Sequence, residues 1–211
     1  MSEFAKSWLT EYCDVSRETF DALDRFVEFL SQENETQNLI SRGTVGDIWA
    51  RHVLDSAQLL RFASNPKTWL DLGTGAGFPG LIIAALSPAR VTMIEARPKR
   101  VDFLRRAAEV LALPKNTEII CAKVERVSPQ AFDVISARAF APLSKLLPLA
   151  LPFSKQDTFW LLPKGRSAAS ELEAEKPLWQ GSFRVEPSLT DSEAGIIVAH
   201  GVSRRARGAR R

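Results

Sequence analysis

The spacing of apolar residues divides the chain into two parts with different secondary-structure patterns. From Trp8 to Phe62, apolar positions recur with the period of an α-helix, and the clearest set at i, i+3, i+4 and i+7 is Leu23, Phe26, Val27 and Leu30. Asn65-Pro66 then interrupts the pattern, because this pair favours a turn over a continuing helix. The pattern therefore predicts an N-terminal helical extension over residues 1–64 that packs on the core.

Beyond this break, short apolar runs alternate with helical patterns. Seven runs have the length and composition of strands, namely Thr68–Leu72, Val91–Glu95, Glu118–Ala122, Phe132–Ser136, Thr158–Leu162, Phe183–Pro187 and Gly195–His200. Helical patterns over Pro79–Leu86 and Pro98–Leu113 separate the early runs. This alternation predicts an α/β fold with a seven-stranded, mostly parallel sheet over residues 65–203, which binds ligands at the carboxyl ends of its strands.

Composition limits the class of protein. The chain has 211 residues, of which 45% are hydrophobic and 25% charged, and these values indicate one folded globular domain with an extension. Cys13 and Cys121 are the only cysteines and lie far apart, so we expect neither a disulfide framework nor a metal site. We see no export signal, and the longest apolar run is too short to span a membrane. A cytoplasmic protein with no membrane partner is expected.

Positive charge is concentrated at the C-terminus. Residues 204–211 contain five arginines and no acid, whereas the whole chain has a net charge of +3, so the remainder is net negative. Such a basic tail, beginning with Arg204 and Arg205, could contact RNA phosphates, or it could be a solvated terminus. The sequence leaves both interpretations open.

A glycine-rich loop follows the first predicted strand and leads into a helix. Residues 71–80 read DLGTGAGFPG. Glycines allow a sharp turn and the close approach of a ligand, and the start of the helix offers free N–H groups. The loop therefore predicts a nucleotide-like ligand, with candidate contacts at Asp71, Gly73, Gly75 and Gly77.

Two cofactors compete for this loop. Gly75, Gly77 and Gly80 match the dinucleotide spacing, and Glu95 follows about 20 residues later, where a ribose-binding acid belongs. An NAD(P)-dependent oxidoreductase is therefore one alternative. Asp71 at the mouth of the loop would repel a pyrophosphate, whereas S-adenosylmethionine carries positive sulfonium and ammonium groups and no phosphate. We therefore favour S-adenosylmethionine, with Glu95 accepting hydrogen bonds from both ribose hydroxyls.

Five segments, in order along the chain, resemble one known family. They are Asn38-Leu39-Ile40, His52-Val53-Leu54-Asp55-Ser56, the glycine loop, Arg138-Ala139-Phe140 and Lys164-Gly165. Together they resemble the glucose-inhibited division protein B family, whose members methylate small-subunit ribosomal RNA. The resemblance implies a class I, Rossmann-like methyltransferase that acts on N7 of a guanine in the 530-loop region of 16S rRNA. The implied partner is 16S rRNA or the small ribosomal subunit.

The same resemblance implies cofactor contacts in the glycine loop and after the third and fourth strands. It places them on Gly73, Phe78, Val124, Glu125 and Arg138. The family usually has a small residue before the acid at 125, where this chain has Val124. We expect the backbone of Val124 to make the contact, so this departure changes little.

The chemistry available in the chain favours guanine N7 over other methyl acceptors. Methylation of pyrimidine C5 needs a cysteine nucleophile, and neither Cys13 nor Cys121 is suitably placed. Enzymes that methylate exocyclic amines commonly carry an Asn/Asp-Pro-Pro-aromatic loop after the fourth strand, where residues 136–140 here read SARAF. Guanine N7 already has a lone pair and no proton to lose, so alignment suffices and no general base is expected.

Arg138 is the strongest catalytic candidate, because a guanidinium can hold the cofactor carboxylate or contact guanine O6 with two donors. His52, Asp55 and Ser56 have the spacing of one helix face and could line the guanine pocket. A lone histidine on a helix is, however, more often structural.

Further candidates are less specific. Lys164 could contact an RNA phosphate or simply form a turn, and Asn38 could cap a helix or bind substrate. A non-catalytic RNA-binding module is the remaining alternative function. We expect a monomer.

Overall fold

A computed structural model describes residues 2–205, in which a helical N-terminal segment leads into an α/β sheet. Its helices are α1 (Ser2–Cys13), α2 (Arg17–Gln37), α3 (Asp55–Ala57), α4 (Gly80–Leu86), α5 (Pro98–Val110), α6 (Leu143–Ala150) and α7 (Ala168–Glu175). Its strands are β1 (Thr68–Leu72), β2 (Arg90–Glu95), β3 (Glu118–Cys121), β4 (Phe132–Ser136), β5 (Ser154–Lys164), β6 (Trp179–Pro187) and β7 (Gly195–Arg204). Single 3-10 turns and one π-helix, Trp49–Leu54, complete the described chain.

The strands form one sheet in the order β3-β2-β1-β4-β5-β7-β6. Strands β1 to β5 are parallel, and β7 runs antiparallel to both β5 and β6. The predicted α/β fold with a mostly parallel, seven-stranded sheet is confirmed. The strand order reverses between β1 and β4, and the carboxyl ends of parallel strands beside such a reversal form the usual ligand crevice.

The helical extension shares its hydrophobic core with one face of the sheet. Helix α2 begins at Ser16, whose hydroxyl accepts the Thr19 N–H at 3.2 Å, and it buries an apolar stripe that includes Phe26. The Phe26 ring lies 5.8 Å from that of Phe78 in the glycine loop. The extension therefore packs directly on the ligand-binding end of the sheet.

Helix α2 ends at Asn38 in the left-handed conformation, with a φ of 48°. The Asn38 N–H donates to the Asn34 carbonyl, and the Asn38 carbonyl accepts from Arg100 of α5 at 3.2 Å. Of the two interpretations that the sequence left open, helix capping is the one observed.

Several boundaries differ from the sequence pattern. β5 begins at Ser154 instead of Thr158, β6 begins at Trp179 instead of Phe183, and β7 continues past His200. Antiparallel pairing between β6 and β7 extends both strands into polar segments that lack alternation, whereas the added part of β5 pairs through Ser154 with Phe132 of β4. Because β7 ends at Arg204, the expected boundary between residues 203 and 204 falls inside a strand.

Two helices were missed, for different reasons. Helix α6 contains Pro148, which disguises its period, and helix α7 buries only Ala168 and Leu172. Of the expected basic tail, residues 206–211 lie outside the described chain. Among the helices of residues 2–205, none is both long and apolar enough to cross a membrane.

Gly77 provides a test of how the loop packs on helix α4. Its φ is 91°, and a Cβ there would overlap the Leu81 side chain. We expect Gly77→Ala to lower the free energy of unfolding by about 2–5 kcal/mol, since left-handed strain costs about 1–2 kcal/mol and overpacking about 1–3 kcal/mol. Urea denaturation measures the change.

Gly165→Ala is the matched control, because no heavy atom lies within 4 Å of its added Cβ. It should change the free energy of unfolding by less than about 0.5 kcal/mol. Equal effects of the two substitutions would contradict the packing interpretation.

Candidate functional site

A cleft of about 700 Å³ opens at the carboxyl ends of β4 and β5. The helical extension forms one wall, and the loop after β4, the end of β5 and the loop between β6 and β7 form the rest. The π-helix contributes Arg51 and His52 to the wall, and Asp55 follows directly after it. π-Helical turns are rare and occur frequently at functional sites.

Arg138, at the end of β4, is held by three groups of the extension. Its Nη1 donates to Asp55 Oδ2 at 3.1 Å and to the Arg51 carbonyl at 3.2 Å, and its Nη2 lies 3.0 Å from His52 Nδ1. The guanidinium carbon lies 5.1 Å from the centre of the Phe78 ring. Within residues 2–205, neither the Nε–H nor the second Nη2–H of Arg138 has an acceptor, so these donors can serve a ligand.

His52 is buried beneath this arginine. Its ring stacks on Phe78 with centroids 4.9 Å apart, and its Nε2 lies 2.9 Å from Thr44 Oγ1. Burial, reinforced by the charges of Arg138 and Arg51, lowers the pKa of His52 to about 3. The imidazole is therefore neutral at physiological pH.

Ser56 does not line the cleft. It is buried, and its hydroxyl donates to the His52 carbonyl at 2.6 Å. The structure thus corrects the expectation that Ser56 lines the pocket, because a short hydroxyl on a helix can bond to the carbonyl four residues earlier instead of facing outward.

The other cations of the cleft are paired with carboxylates. Lys164 Nζ donates to Glu171 at 2.9 Å and to the Ala141 carbonyl at 2.8 Å, and its side chain is only 10% exposed. Arg51 pairs with Asp191 at 3.1 Å. Lys164 therefore braces the loop after β4, and a phosphate contact there would have to compete with Glu171.

The glycine loop lies next to the cleft, with Gly73 and Gly75 at φ values of 64° and 60°. The Glu95 carboxylate closes this loop by accepting the Gly75 N–H at 3.0 Å and the Arg97 N–H at 2.9 Å. Burial would raise the pKa of Glu95, but the hydrogen bonds from Arg97 and Gly75 outweigh it and hold the pKa below its ordinary value. Glu95 is therefore an ionised acceptor at the end of β2.

Asp71 is not at the mouth of the loop. It has no exposed surface, and its carboxylate accepts the Gly80 N–H at 3.0 Å and the Ser136 hydroxyl at 2.8 Å. Burial raises the pKa of Asp71 to about 6. Asp71 therefore positions the loop instead of contacting a cofactor, and the expected repulsion of a pyrophosphate does not apply there.

Two aromatic residues, Phe78 of the glycine loop and Phe140 after β4, connect the loop with the residues that line the cleft. Phe78 is buried between Phe26, His52 and Arg138, so it packs the site instead of presenting a ligand-facing surface. Phe140 lies against Gly73, where a Cβ would overlap its ring, and it also lines the cleft. Phe140 belongs to the Arg-Ala-Phe segment of the sequence, but the pattern of that segment does not indicate this contact.

Gly77 and the residues after β3 complete the expected cofactor set. Gly77 packs against Leu81 and Leu104, so its role is close packing of the loop. A 3-10 turn after β3 contains buried Val124 and exposed Glu125. The Ala122 N–H donates to the Glu95 carbonyl at 3.1 Å, which brings this turn beside the end of β2.

Asn38, Arg204 and Arg205 lie away from the cleft. Asn38 borders a separate hollow of about 210 Å³ beside α2. Along β7, Gly195 pairs with Lys164 at the cleft and Arg204 pairs with Trp179, about 30 Å further on at a rise of about 3.4 Å per residue. Arg205 donates to the Trp179 carbonyl at 2.9 Å. These three residues therefore lie outside the cleft that holds Arg138, and a contact with RNA at their positions stays a prediction.

Arg51, Thr190, Asp191 and Glu171 are site residues that the sequence did not single out. Arg51 adjoins His52 on a predicted helix, which was the available signal. The other three lie in segments without a distinctive pattern, and only the fold brings them to the cleft.

Residues 19–195 match the sequence profile of a family described as GidB, rRNA small subunit methyltransferase G. A protein of this name from Zymomonas mobilis is 52% identical over 206 residues, covering 93% of this chain and 92% of its own. Another, from Rhizorhabdus wittichii, is 49% identical, covering 97% of this chain and 94% of its own.

Solved structures with low sequence identity share the fold. A putative O-methyltransferase from Klebsiella pneumoniae superposes with a TM-score of 0.64 at 14% identity, covering 94% of this chain and 96% of its own. An O-methyltransferase from Bacillus cereus in complex with SAH gives 0.59 at 17% identity, covering 95% and 100%. The class I methyltransferase fold is thereby confirmed.

The family match decides between the functions that the sequence left open. It excludes the NAD(P)-dependent oxidoreductase and the non-catalytic RNA-binding module, and it confirms S-adenosylmethionine as the cofactor. The chain belongs to the GidB family of small-subunit rRNA methyltransferases, which are S-adenosylmethionine-dependent enzymes.

Proposed function

We propose that the protein transfers a methyl group to N7 of a guanine in the 530-loop region of 16S rRNA, free or within the small ribosomal subunit. The observation that carries this proposal is the state of His52 in the cleft. Its ring is neutral and both ring nitrogens are engaged, by Thr44 and Arg138. Such a histidine is poorly suited to remove a proton, and N7 is a guanine acceptor that has none to lose.

The residues of the glycine loop fit S-adenosylmethionine. Arg97 places two donors on the two Glu95 oxygens, with Nε at 3.0 Å and Nη2 at 3.4 Å, a pattern that the adjacent hydroxyls of a ribose also offer. The Arg97 side chain is 62% exposed, so a ligand can displace it. We assign the ribose to Glu95, with Gly73, Gly75 and the backbone of Val124 and Glu125 around the remainder of the cofactor.

When bound, S-adenosylmethionine supplies a methyl group on a positively charged sulfur. The protein's part is to orient the acceptor, and we assign this to Arg138. Its charge is already balanced by Asp55, so its free Nε–H suits a neutral carbonyl such as guanine O6. N7 lies beside O6 on the same edge of the base, so holding O6 aims N7 at the cofactor.

The two parts of the chain divide these tasks. Residues 1–64 supply the wall that fixes Arg138, and residues 65–203 supply the cofactor loop. We further propose that the enzyme acts in the cytoplasm and as a monomer. The monomer is supported by the cleft, which is lined by residues of a single chain.

The proposed reaction is tested on cellular RNA. Nucleoside mass spectrometry of 16S rRNA from cells lacking this protein should show the loss of one 7-methylguanosine, and borohydride–aniline cleavage should disappear at a guanine of the 530-loop region. An unchanged cleavage pattern would contradict the assignment to N7.

Glu95 and Arg97 give a paired test of the ribose site. Glu95→Ala should weaken S-adenosylmethionine binding by about 1.5–3 kcal/mol, roughly 10- to 150-fold in Kd, because a charged acceptor is lost. Calorimetry measures the affinity.

Arg97→Ala removes only the group that competes for Glu95, so it should leave the affinity unchanged or increase it. Weaker binding in Arg97→Ala, or unchanged binding in Glu95→Ala, would move the ribose elsewhere.

Arg138→Ala should lower the single-turnover rate by roughly 10- to 100-fold, because a charge-assisted hydrogen bond to the acceptor base is lost. Cofactor affinity should change little. Arg184→Ala, on the exposed side of β6, is the control and should retain the wild-type rate. A large loss of cofactor affinity in Arg138→Ala would instead assign the arginine to the cofactor carboxylate.

The rate of methyl transfer should not titrate with His52. With a pKa of about 3, about one His52 in a thousand is protonated at pH 6. A base with the ordinary pKa near 6.5 would make the rate rise from pH 6 to pH 8, whereas the neutral, engaged ring gives a flat profile. Single-turnover rates across this range measure it, and a rise that disappears in His52→Asn would contradict the prediction.

A further inference from the structure

Four groups from three segments form a continuous hydrogen-bonded chain that ends at Arg138. Thr44 Oγ1 lies 2.9 Å from the Ser41 carbonyl and 2.9 Å from His52 Nε2. His52 Nδ1 in turn lies 3.0 Å from Arg138 Nη2. The chain thus runs from the turn after α2, through the π-helix, to the end of β4.

The chemistry at the Arg138 end of this chain fixes the tautomer of His52. A guanidinium only donates, so His52 Nδ1 must present its lone pair to Arg138, and the proton of the imidazole resides on Nε2. The Thr44 end accommodates this tautomer. The Thr44 hydroxyl hydrogen can go to the Ser41 carbonyl at 2.9 Å or to the Ser41 hydroxyl at 3.0 Å, which leaves a Thr44 lone pair for the His52 Nε2–H.

Packing fixes the plane of the ring as well. His52 is 8% exposed, and its ring lies nearly parallel to that of Phe78, at an interplanar angle of 24°. Phe78 also lies beneath the guanidinium of Arg138. The direction of the Nδ1 lone pair is therefore set by an aromatic stack and by the Thr44 contact together.

Asp55 supplies the second fixed contact to Arg138, and it is itself held in place. Its Oδ1 accepts from Thr190 at 2.8 Å and from Gln58 at 2.9 Å, which leaves Oδ2 directed at the guanidinium. With Asp55 on Nη1 and His52 on Nη2, the guanidinium plane is defined. The two donors without an acceptor within residues 2–205, the Nε–H and the second Nη2–H, then have fixed directions.

We propose that His52 is a positioning residue which, as the Nε2–H tautomer anchored by Thr44, aims Arg138 at the acceptor base. The role of Arg138 in this statement rests on the proposed function. The tautomer and its anchor do not, because they follow from contacts within the protein.

The tautomer can be observed directly in the free enzyme. The chain has two histidines, His52 and His200, so long-range ¹H–¹⁵N spectra with a His200→Gln variant assign both rings. We expect a pyridine-type Nδ1 and a pyrrole-type Nε2 for His52. A proton on Nδ1, or a rapidly exchanging mixture of both forms, would overturn the proposal.

Kinetic variants test the positioning itself. His52→Phe keeps an aromatic ring on Phe78 but removes the acceptor for Arg138, and its single-turnover rate should fall about tenfold. His52→Asn keeps an acceptor near the Nδ1 position and should recover most of this loss. A rate for His52→Phe within twofold of wild type, or an equal loss in both variants, would overturn the proposal.

The anchor is tested by a double-mutant cycle. Thr44→Val should slow the wild-type enzyme about fivefold, but it should cost nothing further in the His52→Asn background, where the shorter side chain no longer reaches residue 44. Equal costs in the two backgrounds would contradict the chain. This cycle does not depend on whether His52→Phe folds.

Cofactor affinity should be unchanged in all of these variants, because His52 contacts the glycine loop through the ring of Phe78, which is not among the residues that we assign to the cofactor. If the wild-type protein transferred no methyl group to rRNA, the proposed function would fail while the predicted tautomer could still be found. The two failures are therefore distinguishable.

Discussion

The buried carboxylate of Asp71 holds together the point from which the site is built. It joins three elements, because it belongs to β1, accepts the Ser136 hydroxyl from β4, and accepts the Gly80 N–H at the start of α4. Ser136 in turn accepts from the Trp69 indole at 2.8 Å. A fully buried carboxylate is costly, as its raised pKa indicates, and it persists where donors compensate its burial. Here the donors are the Ser136 hydroxyl and the Gly80 N–H, so the same hydrogen bonds that compensate the burial of Asp71 also hold β1, β4 and the glycine loop together.

This constraint makes a division of labour possible at the edge of the sheet. On one side of Asp71, the Glu95 carboxylate beside the glycine loop presents an acidic acceptor to a ligand. On the other side, Arg138 follows β4 and is held by hydrogen bonds to Asp55 and His52 of the helical extension. The cofactor end of the site is thus built entirely from the sheet, whereas the acceptor end needs both parts of the chain.

The sequence predicted what depends on local pattern and missed what depends on packing. Alternating runs predicted all seven strands, and the glycine spacing located the ligand loop. The sequence placed Asp71 at the mouth of the loop, because the pattern at the end of a strand does not show whether an acid faces solvent or the start of a helix. It placed Ser56 in the pocket, because helical spacing does not distinguish an outward hydroxyl from one bonded to its own helix. Glu171, Thr190 and Asp191 come from segments more than 110 residues beyond Arg51 in the sequence. Only the folded chain, in which β7 pairs antiparallel with β5, shows that these residues line the same cleft as Arg51.

The pairing of every cation in the cleft with a carboxylate has a consequence for how a nucleic acid is chosen. Arg138, Arg51 and Lys164 are each offset by an acid, so the interior presents oriented donors with little net charge. Release of counterions from a bound polyanion, which gives nucleic-acid binding its strength and its sensitivity to salt, must therefore be driven mainly by the surface around the cleft. The interior is left to discriminate by shape and by hydrogen bonding to a base. A nucleic acid of the wrong sequence would therefore bind to the surface of the enzyme as readily as the right one. Discrimination would occur only at the step in which a base enters the cleft.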